Sequence, residues 1–252
     1  MRRTPIPPHL FSQPSFELTP ELERYLLVVL RLQEGASFVG FNGEGEERAY
    51  VLSHDEAWSA RATSEPTTGR TGAPLTLCYG VPKGEKLDLV ARQLTELGVG
   101  SLALWAASRS VSVWKPDKAP QKLKRLEKVT HEAARQCGRA DTLTLSPPAP
   151  LRELIARFSA CPLKLYLDPR ASLTLSELRA LTSEQTGALS GELLAREGVV
   201  AIIGPEGGLS PDELCALDEA GWRGLALGSP VLRTETAATV TAALLLEVFG
   251  WL

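Results

Sequence analysis

The sequence predicts an α/β protein with a parallel sheet, preceded by a smaller β-rich region. From residue 75 onwards, strand-like and helix-like segments alternate, which is typical of a parallel α/β sheet. The segment 198–204 (GVVAIIG) contains almost no polar residue, as a strand buried on both faces should. A stretch rich in Thr, Gly and Pro at 63–74 is the best linker in the chain. We therefore predict domains at residues 1–70 and 71–252.

The first region combines one predicted helix with one predicted hairpin. Apolar residues at roughly helical spacing predict a helix over 21–32 that ends at Gly35. The segment 36–45 predicts a strand that runs into a turn at Asn42-Gly43, a strong hairpin signal. The returning strand is predicted at 49–52.

The second region supplies the strands and helices of the parallel sheet. Each predicted strand is short and apolar, and each predicted helix is amphipathic or apolar. The predicted strands lie at 75–81, 101–107, 163–168, 198–204 and 224–228. The predicted helices lie at 86–99, 119–138, 151–158 and 235–249.

Composition places the chain among ordinary globular proteins. Of its 252 residues, 44% are hydrophobic and 23% are charged. Because the sequence shows neither a long apolar run nor a secretory signal, we expect a cytoplasmic protein. The four cysteines and three histidines are scattered without metal-ligand spacing, so we expect no metal site and no disulfide framework.

Charge is segregated along the chain although its net value is only −3. Residues 83–139 contain 12 Lys/Arg against 6 Asp/Glu, whereas residues 140–252 contain 8 against 14. A basic segment in an acidic protein fits a surface that meets phosphates, and it fits a solvated helix surface equally well. Charge alone leaves both interpretations open.

The loop after the buried strand at 198–204 is the first candidate site. In a parallel sheet, ligands bind beyond the carboxyl ends of the strands. Three glycines precede Ser210, Pro211 and Glu213, which together predict a helix start with a capping box. A tight strand–helix turn explains the cap but not the glycines, so we favour a ligand loop.

A second glycine-containing loop follows the strand at 224–228. Thr234 is its candidate helix cap, and Arg233 and Glu235 lie beside it. Spacing alone slightly favours a surface ion pair between these two residues over a ligand contact. Neither GxxxxGK nor GxGxxG occurs in the chain, which disfavours ATP and NAD.

These two loops carry a family resemblance. GPEGGLSPDE (204–213) and LGSPVLRTETA (227–237) resemble the cofactor region of SPOUT methyltransferases. Within that class they resemble the small-subunit ribosomal RNA methyltransferase E family, which methylates N3 of a uridine. Upstream, VPKGEKLDLVARQLTELGV (81–99), EAARQCGR (132–139) and FNGEG (41–45) are also similar to family segments, so the resemblance covers most of the chain.

The resemblance implies a fold, a cofactor and partners. It implies a SPOUT trefoil-knot domain at 71–252 that binds S-adenosylmethionine (SAM), and a PUA-like β-barrel RNA-binding domain at 1–70. It also implies 16S ribosomal RNA of the small ribosomal subunit as substrate and a homodimer formed through the C-terminal domain. The apolar helix near 237–249 suits such an interface, and burial in its own core suits it equally. A SPOUT enzyme for another RNA and a non-catalytic ribosome-assembly protein remain alternatives.

The resemblance also implies site residues. Arg233 is the expected catalytic group that stabilises charge on the uracil, with Glu235 orienting it or the ligand. The expected cofactor-binding residues are Leu167, Ile203, Gly204, Pro205, Glu206, Gly207, Gly208, Leu227, Gly228, Val231, Leu232, Thr234, Thr236 and Ala237. The basic segment, rather than the resemblance, supplies the expected RNA-binding residues. Phosphate contacts are expected at Lys83, Arg109, Lys122, Lys124, Arg125, Arg135 and Arg139, and a base or cofactor contact at Gln136.

Overall fold

A computed structural model of the protein divides into two compact units. The first comprises Met1–Thr71 with Ala134–Thr142, and the second comprises Gly72–Ala133 with Leu143–Leu252. The structure describes residues 2–82, 86–110, 114–115, 117–183, 189–228 and 231–252.

The first unit is built on a largely antiparallel sheet. Its strands are β1 (Arg3–Pro5), β2 (Ser15–Glu17), β3 (Ser37–Phe41), β4 (Glu46–His54), β5 (Trp58–Ala62) and β6 (Thr67–Thr68). Their order is β1-β3-β4-β5-β2, with β6 paired to β4. Two short helices, α1 (Pro8–Phe11) and α2 (Pro20–Glu23), accompany the sheet. The stacked rings of Phe38 and Tyr50, with centroids 5.5 Å apart, lie in its apolar core.

The predicted hairpin of the first unit is confirmed. Strands β3 and β4 pair antiparallel, from Ser37 opposite Val51 to Phe41 opposite Glu47. In the turn, Asn42 Oδ1 accepts hydrogen bonds from the backbone N–H groups of Glu44 (2.8 Å) and Glu46 (3.1 Å). Side-chain acceptance of this kind is why asparagine favours turns.

The helix predicted over 21–32 is only partly correct. Thr19 caps α2 by accepting from Leu22 N, but the chain then continues as a π-helix at Arg24–Val29. Arg31 has a φ of +53°, which ends the helical run well before Gly35. Because residues 25–30 form an unbroken apolar run, the spacing did not identify the buried face: Val28 and Val29 are exposed.

The second unit contains the predicted parallel sheet, which is confirmed. Its strands are β7 (Ala73–Gly80), β8 (Val99–Trp105), β9 (Thr144–Ala149), β10 (Leu163–Leu167), β11 (Leu173–Thr174), β12 (Val199–Ile203) and β13 (Arg223–Ala226). Their order is β11-β13-β10-β12-β7-β8-β9, and every neighbouring pair is parallel. All five residues of the interior strand β12 are buried, as its apolar sequence predicts.

Seven helices accompany these strands among the described residues of the second unit. They are α3 (Lys86–Leu97), α4 (Ala119–Cys137), α5 (Leu151–Arg157), α6 (Leu175–Ser183), α7 (Gly191–Glu197), α8 (Pro211–Glu219) and α9 (Thr234–Val248). The sequence did not predict α6, α7, β9 or β11. Helix α9 packs against α3 and β7 and buries Ala238, Ala242, Leu245 and Leu246. Over the described ranges, no helix is long and apolar enough to cross a membrane.

Candidate functional site

A cavity of about 470 Å³ lies at the carboxyl ends of β10, β12 and β13, inside the second unit. Its volume falls in the range of small-molecule sites, and its position is where parallel sheets bind ligands. The expected cofactor residues that line it are Leu167, Ile203, Gly204, Pro205, Glu206, Gly208, Leu227, Gly228, Val231, Leu232, Thr234 and Ala237. Arg233 lines it as well, whereas Gly207 and Thr236 do not.

Five residues that line the cavity were not predicted from the sequence: Lys86, Asp168, Pro169, Leu209 and Leu225. Asp168 and Pro169 follow β10 directly, so the end of a predicted strand was a usable signal for them. Lys86 begins a helix far away in sequence. No local pattern connects it to the cavity.

Close backbone packing explains the glycines of the first loop, 204–210. A Cβ added to Gly204 would lie 3.2 Å from the carbonyl carbon of Gly208. Gly208 itself has a φ of +68°, a conformation that favours glycine. Its N–H donates to Pro205 O at 2.8 Å, which closes the turn. The loop therefore needs glycines to fold back on itself beside the cavity.

The predicted capping box of α8 is confirmed and has a further partner. Ser210 Oγ accepts from Glu213 N at 3.2 Å, and Glu213 Oε2 accepts from Ser210 N at 2.7 Å. The second carboxylate oxygen, Oε1, accepts from Ser108 N at 2.8 Å. Glu213 thus joins the start of α8 to the segment after β8.

Arg109, an expected RNA-binding residue, holds the first loop in place. One guanidinium nitrogen donates to Gly207 O at 3.1 Å and to Leu209 O at 3.2 Å. A Cβ at Gly207 would lie only 2.9 Å from Arg109 Cβ, so this glycine admits the arginine rather than lining the cavity.

The second loop differs from the sequence prediction at its helix start. Thr234 was the expected cap, but it is the first residue of α9, and Arg233 occupies the N-cap position without a side-chain hydrogen bond. Thr234 Oγ1 instead accepts from the hydroxyl of Tyr79 at 3.1 Å. Burial raises the pKa of Tyr79 to about 12, so it stays protonated near neutral pH. The hydroxyl of Thr234 is therefore bonded to the buried tyrosine and does not cap α9.

Charged groups lie on both loops. Lys86 Nζ lies 3.2 Å from Glu206 Oε1 and 3.2 Å from Glu235 Oε2. The hydrogen bond to Glu206 is the largest cause that raises the pKa of Lys86, and the hydrogen bond to Glu235 is the second. Glu235 therefore pairs with Lys86, and among the described residues no ion pair joins it to Arg233, which corrects the surface pair that spacing favoured. Arg233 is exposed.

Asp168 is held by a neighbouring arginine. Arg170 donates from Nε to Oδ1 at 3.1 Å and from Nη2 to Oδ2 at 2.9 Å. This hydrogen bonding lowers the pKa of Asp168, so a carboxylate persists beside the cavity.

Expected RNA-binding residues of the second unit cluster on α4. Lys124 is exposed, Lys122 Nζ lies 5.0 Å from the ring centroid of Trp114, and Arg125 donates to Asp88 at 2.6 Å. Lys83, the remaining expectation in this unit, lies outside the described residues.

The first unit holds the other three expectations. Gln136 is exposed, and the guanidinium of Arg135 lies 4.2 Å from the ring centroid of Tyr25. Arg139 is 1% exposed, and it donates to both carboxylate oxygens of Asp141 at 2.8 and 2.9 Å. This burial argues against the predicted phosphate contact of Arg139, because a buried, paired guanidinium cannot reach a phosphate. Its sequence position alone did not reveal this.

The described residues contain no group of three or more His, Cys, Asp or Glu side chains that could hold a metal ion.

Comparisons with known proteins give the family. Residues 70–246 match the family model of the RNA methyltransferase domain. The chain is 33% identical over 202 residues to ribosomal RNA small subunit methyltransferase E of Mycobacterium bovis, covering 79% of this chain and 68% of that one.

Two solved structures share the fold. A protein from Legionella pneumophila in complex with SAM is 27% identical, with a TM-score of 0.78, and covers 97% of this chain and 96% of that chain. Ribosomal RNA small subunit methyltransferase E from Neisseria gonorrhoeae, bound to SAM, is 23% identical with a TM-score of 0.82, over 98% of each chain. The chain therefore belongs to the RNA methyltransferase family and, within it, to the ribosomal RNA small subunit methyltransferase E family.

Proposed function

We propose that this chain transfers a methyl group from SAM to N3 of a specific uridine in 16S ribosomal RNA of the small subunit. The observation that carries the proposal is the cavity at the carboxyl ends of β10, β12 and β13. The two loops with the family's sequence signature form its walls. Family membership and the names of the relatives support methyl transfer to small-subunit ribosomal RNA, and the uridine N3 target rests on the resemblance of the loops.

The cavity fits the cofactor. Apolar side chains such as Leu209 and Leu225 line it, and the carboxylates of Glu206 and Asp168 lie beside them, each paired with a cation of the protein. The loops lack the GxxxxGK pattern of phosphate-binding loops, which disfavours a nucleotide phosphate as the ligand. When bound, SAM supplies a methyl group on a positively charged sulfur. The residues proposed to hold it are Leu167, Ile203, Gly204, Pro205, Glu206, Gly208, Leu227, Gly228, Val231, Leu232, Thr234 and Ala237.

Arg233 is the proposed catalytic group. It lines the cavity, it is exposed, and α9 begins immediately after it. Uracil N3 carries a proton, and its loss to solvent water would leave negative charge on N3 and the two carbonyl oxygens. This charge would be consumed when the N3–methyl bond forms and the bond between sulfur and methyl breaks, leaving the neutral thioether. A guanidinium that donates to these oxygens stabilises that charge. Glu235 acts in this site by pairing with Lys86, rather than by orienting Arg233.

The RNA must present an unpaired base. N3 of uridine lies inside a Watson–Crick pair, so the target nucleotide has to be single-stranded or flipped out. We propose that Lys122, Lys124 and Arg125 of α4 contact phosphates, together with Lys83 and Arg135. Gln136 is proposed to contact a base or the cofactor.

The finer architecture is also part of the proposal. Residues 71–252 would form the SPOUT trefoil knot, and residues 1–70 the PUA-like RNA-binding barrel. The protein would act as a cytoplasmic homodimer joined through its C-terminal domain. The parallel sheet, the resemblance of the loops and the family membership support this architecture.

Transfer of labelled methyl groups tests the proposal. The purified protein is incubated with methyl-labelled SAM and small ribosomal subunits from cells that lack the cognate enzyme. Label should enter the RNA of the subunit. SAM binding without label in this RNA would redirect the search to other RNAs, and the absence of both would favour a non-catalytic RNA-binding protein.

A further inference from the structure

Lys86 forms ion pairs with both of the segments that wall the cavity. Its ammonium lies 3.2 Å from Glu206 on the first loop and 3.2 Å from Glu235 in the first turn of α9. Lys86 belongs to neither loop, since it begins α3, and it also lines the cavity. Lys86 of α3 therefore contacts one carboxylate on the first loop, Glu206, and one in the first turn of α9, Glu235.

Glu235 is held in its ionised form by several contacts. Hydrogen bonding to its own backbone N–H is the main cause that lowers the pKa of Glu235, and Lys86 lowers it further. The hydroxyl of Thr234 also donates to Glu235 Oε2, at 3.3 Å. The side chain of Glu235 is only 16% exposed, so its charge is less screened than that of a fully solvated residue. Without a cation between them, two negative groups would repel each other at one end of the cavity.

The helix that carries Lys86 is itself anchored against α9. Leu87, Val90, Ala91 and Leu94 of α3 are buried, and Gln93 accepts a hydrogen bond from Thr239 of α9 at 2.9 Å. The ammonium is therefore presented from a packed helix. The first loop is held by Arg109, by Glu213 and by the buried side chain of Leu209.

We propose that Lys86 is a positioning residue, which holds the Glu206 loop and the start of α9 in their cofactor-binding arrangement. The identity of the ligand, SAM, rests on the proposed function, whereas the ion pairs of Lys86 with Glu206 and Glu235 do not. Lys86 acts on the protein loops rather than on the charge of the cofactor. Its loss should therefore weaken binding of SAM and of its neutral thioether product, S-adenosylhomocysteine, by the same factor.

Hydrogen–deuterium exchange on the protein without cofactor tests the contact directly. In Lys86→Met, amides of 204–210 and 231–238 should exchange about three- to tenfold faster than in the wild type, a size expected for a partly exposed ion pair. Lys86→Arg should restore slow exchange because it keeps the charge. Lys128→Met, which removes an exposed lysine of α4, is the matched control and should leave these amides unchanged.

A variant without the two carboxylates tests the route. In Glu206→Gln/Glu235→Gln, adding Lys86→Met should cause no further change in loop exchange. An additional change would mean that Lys86 acts through other groups, which contradicts the proposal.

Binding measurements separate positioning from other roles. For Lys86→Met, Kd for SAM and for S-adenosylhomocysteine should both rise about three- to tenfold, KM for SAM should rise with them, and kcat should change little. Weaker binding with unchanged loop exchange would assign Lys86 to direct cofactor contact instead. Tighter SAM binding with unchanged S-adenosylhomocysteine binding would indicate a charge effect alone. Either result overturns the proposal, and failure of the wild type to bind SAM would overturn only the proposed function.

Discussion

Arg233 is the residue on which the proposed chemistry depends most. It lines the cavity and is exposed, so a base entering from solvent can reach it. Its neighbour Thr234 also lines the cavity, but the Thr234 hydroxyl accepts a hydrogen bond from the buried Tyr79. Thr234 therefore fixes the start of α9, whereas the side chain of Arg233 is available to the substrate.

Replacing Arg233 by alanine should separate catalysis from cofactor binding. The guanidinium stabilises charge that develops only during the reaction, so methyl transfer should fall about 100-fold or more. Kd for SAM should change less than about threefold. Single-turnover transfer and equilibrium binding measure the two quantities. Equal losses in both would remove Arg233 from its catalytic role.

Tyr79 should leave a signature in the pH dependence of stability. Its pKa is raised from 10.0 to about 12, so the folded protein retains a proton that the unfolded chain releases. The free energy of unfolding should therefore decrease as pH rises from 10 to about 12, and this part of the decrease should be absent in Tyr79→Phe. At pH 8 the same variant should lose about 1 kcal/mol, since Thr234 loses a hydrogen bond. Urea unfolding measures both effects, and parallel pH profiles for the two proteins would refute this account.

At the scale of elements, Glu213 connects a helix start to a loop. Its carboxylate completes the capping box of α8 and also accepts from Ser108 N. Glu213→Ala should lower the free energy of unfolding by about 2 kcal/mol, because a cap and a second hydrogen bond are lost together. Asp212→Ala, at the exposed neighbouring position, should cost about 0.5 kcal/mol through the helix dipole alone. Denaturant unfolding would contradict this role if the two variants lost the same stability.

The elements also show how far sequence reasoning reaches. The strand at 198–204 was predictable because complete burial in a parallel sheet selects an unbroken apolar run, and β12 confirms it. The capping box at Ser210 was predictable because its bonds are local. The edge strand β11 was missed because it has only two residues, too few for a periodic pattern.

The site was predictable in its loops but not in its long-range contacts. The glycines of 204–208 signalled a close backbone approach, which the structure contains. Lys86 was missed because 120 residues separate it from Glu206, and only the folded sheet brings them together. Arg139 was assigned to RNA for the opposite reason: a basic residue in a basic segment looks exposed, but the fold buries it against Asp141.

For the whole molecule, the segregation of charge has a measurable consequence. Residues 83–139 form a basic segment in a chain of net charge −3. If α4 neutralises about three phosphates, affinity for RNA should fall about 20- to 40-fold between 50 and 200 mM salt. Lys124→Ala should reduce the salt slope by about one, whereas Arg196→Ala on α7 should leave it unchanged. Filter binding across this range measures the slope, and an affinity that hardly changes with salt would contradict the RNA surface.

The identity of the methylated nucleoside tests the central claim most directly. Small-subunit RNA labelled by the purified protein with methyl-labelled SAM is digested to nucleosides, which are separated and identified by mass. We predict label in 3-methyluridine, at one position of 16S ribosomal RNA, and its loss with Arg233→Ala. Label in any other nucleoside would contradict the proposed reaction while leaving the fold and the cofactor site intact.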